Sequence, residues 1–75
     1  MSSINELWYA VTRYGVNEWD HGFMDLDEAL LDCYGDILAG HEDAYIVVVE
    51  LGPDPVAIDE ITTEEVVERM RRYAA

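Results

Sequence analysis

The sequence contains no lysine, and three of its four arginines, Arg69, Arg71 and Arg72, fall within the last seven residues. Seventeen residues are Asp or Glu, so residues 1–68 set seventeen carboxylates against Arg13 alone, a formal charge of −16. So few cations argue against direct nucleic-acid binding, which draws its affinity from Lys and Arg on phosphates. An anionic lipid surface is repelled for the same reason. With one cysteine, Cys33, no internal disulfide can form, which fits a reducing compartment. The longest apolar run, Ala44 to Val49, is too short to span a bilayer. Met1-Ser2-Ser3-Ile4-Asn5-Glu6 offers neither the basic start nor the apolar stretch of an export signal. The expectation is a cytoplasmic protein.

Catalytic signatures are also missing. No GxGxxG, P-loop, HExxH, GxSxG or paired CxxC occurs. Cys33 sits among Asp32 and Asp36, the opposite of the electropositive setting a reactive thiolate requires. Ser2 and Ser3 have no candidate base beside them. His21 and His41 are the only histidines, each next to carboxylates, and read as loop residues; a metal site would need both together with a third ligand. Asp25-Leu26-Asp27-Glu28 lacks the order and the sixth-position glycine of a calcium-binding loop. Paired-carboxylate chemistry needs a concave site that drives two pKa values apart, and a core this small leaves little room for one. No enzymatic activity, no cofactor and no metal are expected.

What is present is a folding sequence. Apolar residues make up 51 % of the 75, too many for a disordered acidic tail. One small domain spanning residues 1–75 is expected, and a chain of this length buries only about 60 % of its unfolded surface. Leu7 to Tyr14 reads as a strand, Gly15-Val16-Asn17 as a turn, and Glu18 to Phe23 as a poorer returning strand. Asp25 and Glu28 form a capping box for a helix ending at Gly40, with Leu26, Ala29, Leu30, Cys33 and Ile37 as its apolar stripe. Tyr45–Leu51 has the pattern of a central strand, Gly52-Pro53-Asp54-Pro55 of a turn, and Val56, Ile58 and Glu60 of a hairpin partner. Thr62 and Glu65 cap a second helix reaching about Tyr73, stapled by Ile61 and Val66 and burying Val66, Val67, Met70 and Tyr73. Glu65–Arg69 and Glu68–Arg72 are favourable pairs one turn apart. The fold class is therefore α+β, order β(β)αββα: a three- to four-stranded, mainly antiparallel sheet with two helices on one face. A right-handed crossover would make the first strand and Tyr45–Leu51 parallel neighbours.

One arrangement of acids looks purposeful. At about 100° per residue, Asp25, Glu28, Asp32 and Asp36 fall within roughly 80° of one another, pointing away from the apolar stripe. Glu28, Asp32 and Asp36 advance roughly 6 Å per step, close to the spacing of phosphates along a nucleic-acid strand. Like charges at this spacing cost a few tenths of a kcal/mol per pair, and no Lys or Arg relieves them. Glu18 and Asp20 precede the helix, and Glu42 and Asp43 follow it. The complement of these eight residues is a groove built to hold phosphates, which an acidic protein can occupy with the same Coulomb and counterion-release terms as DNA.

Small size, strong negative charge, an α+β order and the lack of a catalytic motif resemble the phage-encoded anti-CRISPR and anti-restriction DNA mimics. Among these the chain is most similar to small acidic inhibitors of type I surveillance complexes. A monomeric, non-enzymatic inhibitor is expected, and the resemblance implies one that acts in the host bacterial cytoplasm. Such a protein binds the DNA-receiving surface of a multi-subunit CRISPR effector and blocks DNA loading. Two other readings fit the same residues. The chain can be a small acidic interaction or regulatory domain, docking through a sheet edge or an aromatic patch around Trp8 or Trp19. It can also be an ordinary domain adapted to a high-salt cytoplasm.

Overall fold

The computed structural model describes residues 6–14, 16 and 18–74. The expected turn at Gly15-Val16-Asn17 therefore lies partly outside the described residues, and Ser2 and Ser3 wholly so. Within them the chain runs β1 (Leu7–Arg13), β2 (Gly22–Phe23), α1 (Leu26–Leu38), β3 (Ala44–Glu50), β4 (Val56–Ile61) and α2 (Thr63–Ala74). The sheet order is β2-β1-β3-β4, and every neighbouring pair is antiparallel.

The α+β class, the element order and the two capped helices agree with the sequence. So does the mainly antiparallel sheet; the parallel pairing of β1 and β3 that a crossover would allow is not formed, since Leu7 pairs with Glu50 and Arg13 with Ala44. Although only two residues long, β2 already returns the chain along β1. The following helix then starts at the opposite end of the sheet and delivers β3 head to tail with β1. The expected strand over Glu18–Phe23 shrinks to Gly22–Phe23, because Trp19 is used elsewhere, as described below.

Local chemistry explains the helix ends. Asp25 caps α1, its carboxylate accepting from Asp27 N–H at 3.1 Å. The reciprocal half of the capping box, through Glu28, is not formed among the described contacts. At the other end His41 N–H donates to Asp36 C=O at 3.0 Å and Gly40 N–H to Ile37 C=O at 3.2 Å. These are the two bonds of a Schellman turn, which needs the left-handed φ of +111° at Gly40. For α2, Thr62 Oγ1 accepts from Glu65 N–H at 3.2 Å, and Ile61 and Val66 share the same buried cluster.

Both helices cover one face of the sheet. Val11, Ala44, Ile46, Val48 and Ile61 from the strands meet Ala29, Leu30 and Cys33 of α1 and Val66 of α2. Alternation along the strands sends Ala10, Val47 and Val49 to the other face. No helix of the described residues lies there. Trp8, Trp19, Tyr45 and Leu51 pack over these residues instead, and the Trp8 indole N–H donates to Trp19 C=O at 2.8 Å. Trp19 thus acts as cover for the helix-free face rather than as a member of a strand. Gly22 makes the close approach possible, since a Cβ there would lie 2.6 Å from Tyr9 O and 2.8 Å from the Trp8 ring.

The last strand departs from simple alternation. Its register shifts between Val48 and Val49, leaving Ile58 opposite no β3 residue, and both Val56 and Ile58 are exposed. Asp59 turns its carboxylate onto Glu60 N–H at 2.8 Å. A bulge and two acids therefore blunt this edge strand.

Candidate acidic interface

The eight acids singled out from the sequence fall into three places. Glu18, Asp20 and Asp36 line one groove of about 330 Å³, together with Arg13, His21, Val11, Thr12 and Val16. Asp32 adjoins this region through His21, whose Nε2 lies 2.7 Å from Asp32 Oδ2. The His21 ring also meets Phe23 edge to face, at 5.6 Å between centroids. Asp25 and Glu28 are exposed on the first turns of α1, with Asp25 engaged as the cap. Glu42 and Asp43 line a separate groove with Tyr14, Thr62, Thr63 and Glu64.

The stripe on α1 is therefore a flank and not the crest of the helix. Asp32 and Asp36 are half-buried against the loop that precedes β2, while the outermost line of α1 carries Leu31, Gly35 and Leu38. The expectation that all four acids point well away from the packed side holds for Asp25 and Glu28 only. Arg13 and His21 are polar groove residues that the sequence alone did not place in the contact surface. No local signal announces the His21–Asp32 contact, because it joins a loop residue to a helix residue eleven positions on.

Cations are distributed unevenly. Among the described residues two arginine–carboxylate ion pairs form, Glu65–Arg69 at 3.2 Å and Glu68–Arg72 at 2.8 Å, while His21 and Asp32 share a hydrogen bond. Both arginine pairs lie within α2, whose first turn holds Glu64 and Glu65 and whose last turn holds Arg71 and Arg72, as the helix dipole favours. In α1 the first turn is acidic too, but no basic residue occupies its last turn, where Asp36 adds to the negative end. That placement costs the helix about 0.3–1 kcal/mol.

Other clefts offer less. A groove of about 500 Å³ between the helices is lined by Leu26, Asp27, Leu30, Tyr73 and the two Glu–Arg pairs, so its cations are already engaged. Tyr73 was expected in the core; it is 67 % exposed, because it reaches the first turn of α1 instead of joining the buried cluster. There its hydroxyl donates to Asp27 Oδ1 at 2.9 Å. Cys33 is fully buried, and burial, with Asp36 and Asp32 adding to it, pushes the thiol up to about 12. Such a thiol is not a nucleophile near neutral pH. Among the described residues no three His, Cys, Asp or Glu side chains are grouped to hold a metal ion, and no helix is long and apolar enough to cross a membrane.

No protein-family model matches the chain, and neither a curated protein nor a solved structure aligns with it.

Proposed function

We propose that the protein is a stoichiometric, non-enzymatic inhibitor that presents the charge of DNA to a nucleic-acid-binding protein complex, of which a CRISPR effector is the type implied by its character. The contact surface is the acidic flank of α1, Asp25, Glu28, Asp32 and Asp36, continued by Glu18 and Asp20, with Glu42 and Asp43 beyond the helix end.

The contrast between the two helices carries this reading. Each acid of α2's middle turns has an arginine one turn on, and the helix ends obey the dipole. α1 instead holds Glu28, Asp32 and Asp36 in a row, with no arginine paired to any of them among the described residues, and ends without a basic residue. The chain can build ordinary compensated helices, so charge left uncompensated at a stability cost points to an external partner. A cationic groove satisfies it, and the long-range field makes association fast and salt-sensitive.

The test is a pull-down from nuclease-treated host lysate at low salt, followed by competition against duplex DNA. Wild type should displace DNA from its partner. Replacing Glu28, Asp32 and Asp36 with Gln, Asn and Asn should abolish displacement while leaving the melting temperature unchanged or slightly raised. Undiminished displacement by that triple variant rejects the surface.

A further inference from the structure

We infer that the outermost line of α1, Leu31–Gly35–Leu38, is a docking ridge for a basic amphipathic helix of the partner. The inference rests on the reading above that the partner is cationic, and adds the apolar half of the same interface.

Leu31 is 63 % exposed and Leu38 70 % exposed. At about 100° per residue, Leu31, Gly35 and Leu38 lie within roughly 60° of one another, opposite the core residues Leu30, Cys33 and Ile37. The two leucines stand about 10 Å apart along the axis, with the glycine between them. Among the described residues nothing asks for that glycine. A Cβ at Gly35 would meet no atom within 4 Å, and the only described glycine with a positive φ is Gly40. Glycine in a helix interior is less stable than alanine, so the notch is kept at a cost that an isolated molecule has no cause to bear. Two apolar knobs flanking a gap admit a ridge of a second helix, and a missing side chain lets the axes approach closely.

Charge selects the occupant. Asp27 and Glu28 lie on opposite sides of the ridge, and Asp32 lies beyond Glu28. The complement is an apolar seam between rows of Lys or Arg. A second copy of this chain would set Asp27, Glu28 and Asp32 against themselves and is repelled.

The experiment uses two synthetic helical peptides of about 18 residues: one with a leucine seam flanked by lysines, and a twin with serine in the seam. Fluorescence anisotropy is read at about 50 mM NaCl. Wild type should bind the leucine peptide at least roughly tenfold more tightly than its twin. Leu31→Ser with Leu38→Ser, both side chains being already in water, should keep the melting temperature and lose that preference. Gly35→Ala should lower it severalfold. Equal binding of both peptides by wild type overturns the inference, as does a preference that survives in the leucine variant. A wild-type dimer in sedimentation that the leucine variant dissolves also overturns it, in favour of a second copy as occupant. The charge reading fails separately: Glu28→Gln, Asp32→Asn and Asp36→Asn would then leave affinity for both peptides unaltered while the seam preference stands.

Discussion

The Tyr73 hydroxyl donates to the Asp27 carboxylate across 2.9 Å, so the last turn of α2 is tied to the first turn of α1, forty-six residues earlier. That hydrogen bond, with the Asp27 charge behind it, holds the phenol above its ordinary value of 10. The sign is that of a group easier to keep protonated when folded. Its contribution is whole below the unfolded tyrosine value and is lost as pH rises through the higher folded one. Urea midpoints of wild type and Tyr73→Phe should therefore differ by a constant amount from pH 6 to 9 and converge at more alkaline pH. A pH-independent difference contradicts the assignment.

Two glycines predict opposite outcomes. Gly22→Ala forces a methyl against the Tyr9 carbonyl and the Trp8 ring, and should cost about 1–3 kcal/mol. Gly35→Ala meets nothing and should stabilise the chain by about 0.5–1 kcal/mol. Chemical denaturation of the two variants measures both, and equal effects would contradict the described packing.

Cys33 offers a probe of opening. With its thiol pushed up to about 12, chiefly by burial, the folded chain holds almost no thiolate at pH 8. A disulfide reagent should label it only as fast as the core opens, and immediately in denaturant. Because the folded value is raised, the buried neutral thiol supports stability below the unfolded thiol value, and that support fades as pH climbs towards about 12. Fast labelling without denaturant would contradict this burial.

Salt separates mimicry from hydration. At about 0.01 M salt the screening length is near 30 Å, so the carboxylates repel across the whole molecule. The chain should nevertheless remain folded there, with a melting temperature that rises as salt is added. Unfolding at low ionic strength would support adaptation to a saline cytoplasm instead.

Much of the fold could be read from local chemistry. The Schellman turn at Gly40, the Thr62 cap, the Ile61–Val66 staple and the two Glu–Arg pairs are each set by residues within one or two turns, and the sequence displays them. Strand direction was less legible: whether β1 and β3 run parallel depends on Gly22–Phe23, a strand of two residues in which Gly22 packs closely on Tyr9 and Trp8. Tyr73 had the spacing of a core residue, yet helix periodicity does not reveal its hydrogen bond to Asp27, forty-six residues away. The interface was legible as composition and not as shape. Helical spacing grouped Asp25, Glu28, Asp32 and Asp36, but half-burying Asp32 and Asp36 required His21 and the Glu18–Asp20 segment to fold back on them. Leu31 and Leu38 lay outside the main apolar stripe, and that displacement was the available sign of an exposed ridge.

The arginines of α2 have one more consequence. Three glutamates and three arginines within Thr63–Ala74 sum to zero, so the formal charge of −13 resides entirely on the remainder of the chain. Centre of charge and centre of mass then do not coincide, and a cationic body exerts a torque on the molecule before the two touch. An encounter with such a body would begin already rotated, with the net-neutral helix trailing and the anionic side leading.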